Sequence, residues 1–228
     1  MNQRPLSRSV EDYLKAIYGL SEGGSPASTS SIAEALDIQP ASVTGMVKRL
    51  AEEGLLEHLP YRGVQLTEPG QREALRVLRR HRILETYLCE KLAFPWDDVH
   101  GEAESLEHAA SDALIERMSA ALGYPSHDPH GAPIPTRSGE IEPTDMKTLA
   151  DAVPGAYMRI RAVRDEEAEG LRSMAAGGLV PGVAVRVNEG QPTEDAVGVT
   201  VGGALGEVVT VQHDLARRIF VVPDETQS

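Results

Sequence analysis

The segment at residues 28–66 most constrains the fold, because its pattern predicts two short helices about three residues apart, followed by a hairpin. STSSIAEALD carries one apolar face, and the second helix is expected to begin near Pro40, a residue favoured in a first turn. Gly54 is suited to end that helix, and LLEHLPYRGVQL supplies two strand-like pieces around Tyr61-Arg62-Gly63. This order is typical of a winged helix-turn-helix.

The outward face of the second predicted helix carries the small or polar residues Ser42, Thr44, Gly45 and Lys48. A generic helical hairpin is the alternative interpretation. The predicted wing and this small polar face together favour a DNA-binding surface.

The formal net charge of −13 by itself argues against a nucleic-acid partner, but the charge is unevenly distributed. Residues 39–82 hold 8 Lys and Arg against 5 Asp and Glu, whereas residues 100–151 hold 3 against 10. A mildly basic segment is therefore followed by a strongly acidic one. Acidic clusters are usually solvated surface, but they also supply the ligands of divalent cations.

No apolar run approaches the roughly 18–20 residues that a membrane span requires, and the first residues lack the apolar stretch of a signal peptide. We therefore expect a cytoplasmic protein with no membrane partner. The single Cys89 excludes an intrachain disulfide framework and any multi-cysteine zinc site.

The rest of the chain predicts a mainly α region followed by a small all-β region. Helices are expected from Ser9, over 69–92 and over 97–122. The helix over 69–92 is apolar on two sides, which indicates contact with both its own domain and a partner subunit, and hence a homodimer. Short β-like runs such as YMRIRAV and AVGVTV begin near Met158. The expected domains are a winged helix-turn-helix at 1–74, a helical dimerisation and metal-binding domain at 75–144, a linker at 145–155 and a β domain at 156–228.

The acidic stretch VHGEAESLEHAASD contains a candidate metal site. On a helix, four of its residues point within about 100° of one another, and these are His100, Glu104, Glu107 and His108. The last three can converge on one cation, whereas His100 lies a turn or more earlier and implies a second site. His81 and Glu85 are four residues apart on the preceding predicted helix, so they share one face of it and can ligate the same metal ion.

Two carboxylates and one imidazole suit a borderline-hard divalent cation such as Mn²⁺ or Fe²⁺. Two alternatives are a charged helix surface with no metal and a di-iron carboxylate enzyme. The enzyme would require Glu-x-x-His pairs, and Ser105 stands three residues before His108. His127 and His130 lie in a Pro-rich turn, where loop hydrogen bonds are the simpler role. No hydrolase triad, P-loop or dinucleotide fingerprint is found, so we do not expect an enzyme.

The sequence resembles the diphtheria toxin repressor family of metal-dependent transcriptional regulators, including its manganese-responsive branch. The resemblance rests on EDYLKAIYGL, IAEALDIQPASVTGMVKRLAEEGLL, YRGVQLTEPG, RRHRILE, VHGEAESLEHAASD and DPHGAPIP, in that order along most of the chain. It implies a winged helix, a helical dimerisation domain that carries the metal ligands, and an SH3-like (FeoA-like) C-terminal domain.

The resemblance also implies two cation sites per protomer. The primary site would comprise Asp12, Glu104, Glu107 and His108. Iron-type members have Met and Cys where this chain has Asp12 and Glu104, so the family pattern favours Mn²⁺, with Fe²⁺ as the alternative. The ancillary site would comprise His81, Glu85, His100 and Glu167. A further family position falls on Gly170, which cannot ligate, so Glu166 or Glu169 is the substitute.

The implied function is metal-activated repression of metal-uptake genes through a palindromic operator on double-stranded DNA. The predicted DNA contacts are Gln39, Ala41, Ser42, Thr44, Lys48 and Arg62. Two departures from the family pattern stand out. Lys15 replaces a glutamate that serves a second metal in short manganese-type members, and Gly45 replaces a polar base-contacting residue. A winged-helix regulator that senses an organic ligand is the alternative function.

Overall fold

The computed structural model describes residues 6–21, 24–143, 146–164, 168–190, 195–202 and 206–224. Their contacts group them into two compact units. The first comprises the described residues of Met1–His81, Ser105–Ile115 and Pro135–Ile141. The second comprises those of Arg82–Glu104, Glu116–Ile134 and Glu142–Ser228.

The first unit begins with the predicted winged helix-turn-helix. Its elements are α1 (Arg8–Leu20), α2 (Thr29–Ala35), α3 (Pro40–Glu52), β1 (Leu56–Leu59) and β2 (Gly63–Leu66). Ser28 caps α2, where its hydroxyl accepts a hydrogen bond from the Ser31 amide at 3.0 Å. The turn into α3 places Asp37 at a φ of 50°, a conformation that Asp tolerates better than most residues.

The wing lies close to the segment that leads into α2. β1 and β2 are antiparallel, and the Val64 amide donates to the Ala27 carbonyl at 2.9 Å. Gly63 allows this approach, because a Cβ there would lie 2.2 Å from the Ala27 carbonyl oxygen. The apolar faces of α1, α2 and α3 and the wing residue Val64 are buried in one core.

The long helix α4 spans Glu68–Leu92, and it is followed by α5 (Val99–Glu107) and α6 (Asp112–Ala121). The expectation of one continuous helix over 97–122 was wrong. The chain leaves α5 just before His108, and the Ser111 hydroxyl accepts the Leu114 amide at 3.3 Å at the start of α6. This break places His108 at the end of a helix and not within one.

The second unit contains a six-stranded antiparallel sheet with the order β3-β8-β4-β5-β6-β7. The strands are β3 (Lys147–Thr148), β4 (Tyr157–Val163), β5 (Ala184–Val187), β6 (Ala196–Val201), β7 (Glu207–Gln212) and β8 (Ile219–Pro223). A 3-10 turn (Leu149–Asp151) and two helices, α7 (Ala168–Ala176) and α8 (His213–Ala216), are added to the all-β region expected from sequence.

The sheet and α7 share a core that includes Leu149, Ile160, Met174, Val199 and Ile219. The helical N-terminal region and the small antiparallel sheet at the C-terminus confirm the predicted fold class. Among the residues described, no helix combines the length and the apolar character that crossing a membrane would require.

Candidate metal centres and DNA-contacting surface

Three of the four residues predicted for the primary site lie together in the first unit. One ligand atom from each of Asp12, Glu107 and His108 lies within 4.8 Å of the others. His108 Nε2 is 2.8 Å from Asp12 Oδ1 and 3.3 Å from Glu107 Oε1. Asp12 comes from α1, whereas Glu107 ends α5 and His108 directly follows it. Two carboxylates and an imidazole therefore converge from different parts of the chain.

The neighbours of this cluster hold its side chains in place. Glu11 faces the other imidazole nitrogen, with Oε2 at 2.6 Å from His108 Nδ1, and its second oxygen accepts from Arg80. With Nδ1 directed at a carboxylate, Nε2 is the nitrogen that faces Asp12 and Glu107. This carboxylate–imidazole arrangement is the one that commonly orients a metal-binding histidine.

Both oxygens of Glu107 have a partner, although its side chain is fully buried. Lys15 Nζ lies 2.7 Å from Oε1, and His81 Nδ1 lies 2.7 Å from Oε2. Burial by itself raises the pKa of Glu107, but the His81 hydrogen bond and the Lys15 charge bring this pKa below its ordinary value of 4.5. The pKa of Asp12 is raised, because burial outweighs the attraction of His108 and Lys15.

A second cluster lies in the second unit and includes two residues that the sequence reasoning did not assign to a metal site. Ligand atoms of Glu85, Asp128 and His130 lie within 4.8 Å of one another. His130 Nε2 is 2.7 Å from the Trp96 carbonyl oxygen, so this nitrogen donates and Nδ1 is left to face Glu85 Oε2 at 3.9 Å. The tripeptide DPH, which places an aspartate and a histidine on either side of a proline, was the sequence feature that could have indicated these ligands. It lies in a loop, and periodicity does not predict the path of a loop.

Asp128 is held rigidly by its own loop. One oxygen accepts the backbone amides of His130 and Ala132, both at 2.9 Å, and the other lies 3.5 Å from Arg82 Nε. The pKa of Asp128 is raised above its ordinary value of 3.8, first by burial and then by the nearby Glu85 charge. The two buried carboxylates and the imidazole are donor types that divalent cations of this class bind, and their ligand atoms converge here.

The remaining predicted ligands fall into three groups. Glu104 is half exposed, with Oε1 3.6 Å from His100 Nε2, and His100 Nδ1 is 3.2 Å from Glu85 Oε1. His81 contacts Glu107 and precedes Glu85 by one turn of α4. Glu166 and Glu167 lie outside the described residues, and Glu169 is exposed in the first turn of α7. The roles of these residues in ligation stay predictions.

The predicted DNA contacts are all exposed in the first unit. They are Gln39, Ala41, Ser42, Thr44 and Lys48 at and along α3, and Arg62 in the turn of the wing. The Thr44 hydroxyl donates to the Pro40 carbonyl at 3.3 Å, and the side chain is exposed. Lys48 is 81% exposed, as a phosphate-contacting side chain requires.

Both clusters offer carboxylate oxygens and imidazole nitrogens and no thiolate. This donor set suits a divalent cation of the Mn²⁺ or Fe²⁺ type better than one that prefers sulfur. Within the first unit, ligation by Asp12, Glu107 and His108 would fasten α1 to the end of α5.

Three family models match the chain. Residues 5–64 match the iron-dependent repressor N-terminal DNA-binding domain, and residues 67–136 match the iron-dependent repressor metal-binding and dimerisation domain. Residues 147–223 match the FeoA domain.

Individual proteins are similar over between half and nearly all of the chain. The iron-dependent repressor IdeR of Mycobacterium tuberculosis is 31% identical over 95% of this chain and 97% of its own. The transcriptional regulator MntR of Oceanobacillus iheyensis is 38% identical over 51% of this chain and 78% of its own. A manganese-dependent transcriptional repressor solved with manganese is 35% identical, with a TM-score of 0.87, over 94% of this chain and all of that one.

Proposed function

The chain belongs to the iron-dependent repressor family, and on that premise we propose that it is a homodimeric regulator whose binding to a palindromic operator is switched on by Mn²⁺ or Fe²⁺. The family consists of transcriptional repressors and not enzymes, which excludes the metalloenzyme alternative. The observation that carries the proposal is the convergence of Asp12, Glu107 and His108 from α1 and the end of α5.

We assign the first cation to these three residues of the first unit. Mn²⁺ is the preferred cation, since the described ligands are two carboxylates and one imidazole. When bound, the cation supplies the positive charge that allows these carboxylates to stay close together in a buried position. Asp12 then fixes α1, which packs on α2 and β2 in the DNA-binding domain.

We assign the second cation to Glu85, Asp128 and His130. The sequence-based ancillary set of His81, Glu85, His100 and Glu167 shares Glu85 with this cluster. Asp128 is a stronger candidate ligand than the exposed Glu169, because two backbone amides and Arg82 already orient its carboxylate. Two cations per protomer are therefore expected.

The DNA-contacting residues act in two ways in this proposal. Ser42 and Thr44 face the bases from α3, whereas Lys48 and Arg62 contact phosphates and fix the register of the domain. Cation and DNA should each raise the affinity for the other by the same factor, because the two binding events are linked. Repression of metal-uptake genes in the cytoplasm is the role that this switch would serve.

The test measures operator binding with and without cation. An operator is selected from random duplexes in Mn²⁺, and binding of the full chain is followed by fluorescence anisotropy at fixed salt, in Mn²⁺ or in chelator. Glu107→Ala should weaken Mn²⁺-dependent binding by roughly 100-fold. Glu102→Ala is the matched control, because Glu102 is an exposed glutamate of the same helix. Equal DNA binding in Mn²⁺ and in chelator by the unaltered protein would refute the switch.

The second site is tested by counting cations. Titration calorimetry should give two Mn²⁺ per protomer for the unaltered chain and one for His130→Ala. His58→Ala is the control, since His58 is exposed in β1. A count of two in His130→Ala would remove that residue from the ligand set.

A further inference from the structure

Lys15 lies where a cation bound to the first cluster would have to compete with it. It follows Glu11 by four residues and Asp12 by three on α1, so the three side chains share one face of that helix. Its ammonium group is 2.7 Å from Glu107 Oε1. The lysine side chain is only 20% exposed, and that of Glu107 is fully buried.

The oxygen that Lys15 occupies is the one turned towards the other ligands. Glu107 Oε1 is 3.3 Å from His108 Nε2, whereas Glu107 Oε2 is engaged by His81. A divalent cation that uses Oε1 must displace the ammonium group or share the oxygen with it. Sharing would place a charge of +1 a few ångströms from a charge of +2 in a partly buried setting, where charges are poorly screened.

We propose that Lys15 is a built-in competitor of the activating cation: its ammonium group neutralises Glu107 in the metal-free protein and must leave Oε1 when the cation binds. The inference rests on the proposed assignment of Asp12, Glu107 and His108 to a cation. It gives the chain a means of setting the cation concentration at which it responds. A weaker first site is useful to a regulator, because it stays empty until the cation is abundant.

The same contact has a second consequence. The lysine keeps the buried Glu107 carboxylate paired when the cation is absent, so the ligand stays ionised and in position. Removal of the lysine charge should therefore tighten cation binding and at the same time lower the stability of the metal-free protein. Substitution of a residue with only a structural role would change the stability of the metal-free protein but would not tighten cation binding.

The first experiment is calorimetric titration of the full chain with Mn²⁺ alone. Lys15→Gln should bind the cation at the first site about tenfold more tightly than the unaltered protein. Lys15→Arg keeps the charge, and Lys147→Gln removes a charge from the exposed start of β3, so both should stay within about threefold of it. Equal or weaker binding by Lys15→Gln would overturn the inference, whereas absence of Mn²⁺ binding by the unaltered protein would overturn the proposed function itself.

A second experiment needs no variant, and it decides the matter if Lys15→Gln fails to fold. The unaltered protein is labelled with a limiting amount of acetic anhydride in Mn²⁺ or in chelator, and acetylation of each lysine is followed by mass spectrometry. Displacement from Glu107 should raise the rate at Lys15 several-fold in Mn²⁺, relative to Lys147. An unchanged or slower rate at Lys15 in saturating Mn²⁺ would show that the ammonium group does not leave.

Discussion

Glu11 offers the sharpest test of how the first cluster is built, because it touches the cluster without belonging to the proposed ligands. One of its oxygens faces His108 Nδ1 and the other accepts from Arg80. The side chains of Glu11 and Arg80 are 12% and 9% exposed, so solvent screens their ion pair only weakly. Glu11→Gln removes the charge and keeps the size.

The expected loss of stability follows from this burial. Removal of one partner of a buried ion pair typically costs about 3–5 kcal/mol, because the other charge stays buried without compensation. Arg80 Nε already has no hydrogen-bond partner among the described residues, so no bond from this nitrogen compensates the guanidinium group when the Glu11 charge is lost. The glutamine carbonyl can still accept one hydrogen bond from it. We therefore expect the low end of the range, a decrease of about 3 kcal/mol in the free energy of unfolding.

The same change should weaken cation binding, because the imidazole would lose the carboxylate that orients it. Loss of such an orienting partner typically costs about 10–100-fold in metal affinity. Urea unfolding in chelator measures the free energy of unfolding, and calorimetric titration measures the affinity for Mn²⁺. Glu34→Gln is the control, since Glu34 is an exposed glutamate of α2.

A double variant separates the two effects. Glu11→Leu combined with Arg80→Met replaces the buried ion pair by apolar side chains, an exchange that is often neutral or stabilising. The double variant should recover most of the stability but not the affinity for Mn²⁺. The reasoning would be refuted if Glu11→Gln changed the free energy of unfolding by less than about 0.5 kcal/mol, or if the double variant regained the original affinity.

Three further predictions concern other parts of the chain. Gly63→Ala should lower the free energy of unfolding in urea by at least about 2 kcal/mol, because its Cβ would lie 2.2 Å from the Ala27 carbonyl oxygen. Gly19→Ala is the control and should not lower this free energy, because a Cβ there has open space around it. Burial and the Arg161 charge lower the pKa of His127 below its ordinary 6.5, so the unfolded chain gains this proton at a higher pH than the folded chain. Stability should drop as the pH falls below 6.5, and the drop should shrink in His127→Gln; an unchanged pH profile would contradict this assignment. Arg62→Ala should weaken binding to all duplexes alike and reduce the salt slope by about one, measured by anisotropy at several salt concentrations; a change confined to one base position would indicate base contact instead.

The winged helix and the C-terminal strands could be predicted from the sequence because both depend on local patterns. The predicted run YMRIRAV coincides with β4, and Pro40 begins α3 as expected. Alternation and first-turn preferences act within a few residues, so they are readable without the rest of the chain. The break between α5 and α6 is different, because helical periodicity continues through it. The start of α6 is marked only by the hydrogen bond that the Ser111 hydroxyl accepts from the Leu114 amide.

The ligands could be predicted only where they share a helix face. Glu107 and His108 stood out by their spacing, and the family resemblance added Asp12, which lies nearly a hundred residues earlier. Asp128 and His130 were not assigned because loop geometry brings them to Glu85. The contact of Lys15 with Glu107 was equally hidden, since periodicity gives the face of α1 but not what that face meets.

Glu107 joins the stability of the first unit to its proposed response to a cation. Lys15 of α1 and His81 of α4 each take one of its oxygens, so this residue from the end of α5 is held by two other helices before any cation binds. Glu107→Ala removes both contacts and a ligand together, and its effect on DNA binding cannot by itself separate folding from activation. Lys15→Gln and Glu11→Gln avoid this difficulty, because each should lower the stability of the metal-free protein while shifting the affinity for Mn²⁺ in opposite directions. Opposite shifts in two variants that are both less stable cannot arise from a general loss of structure.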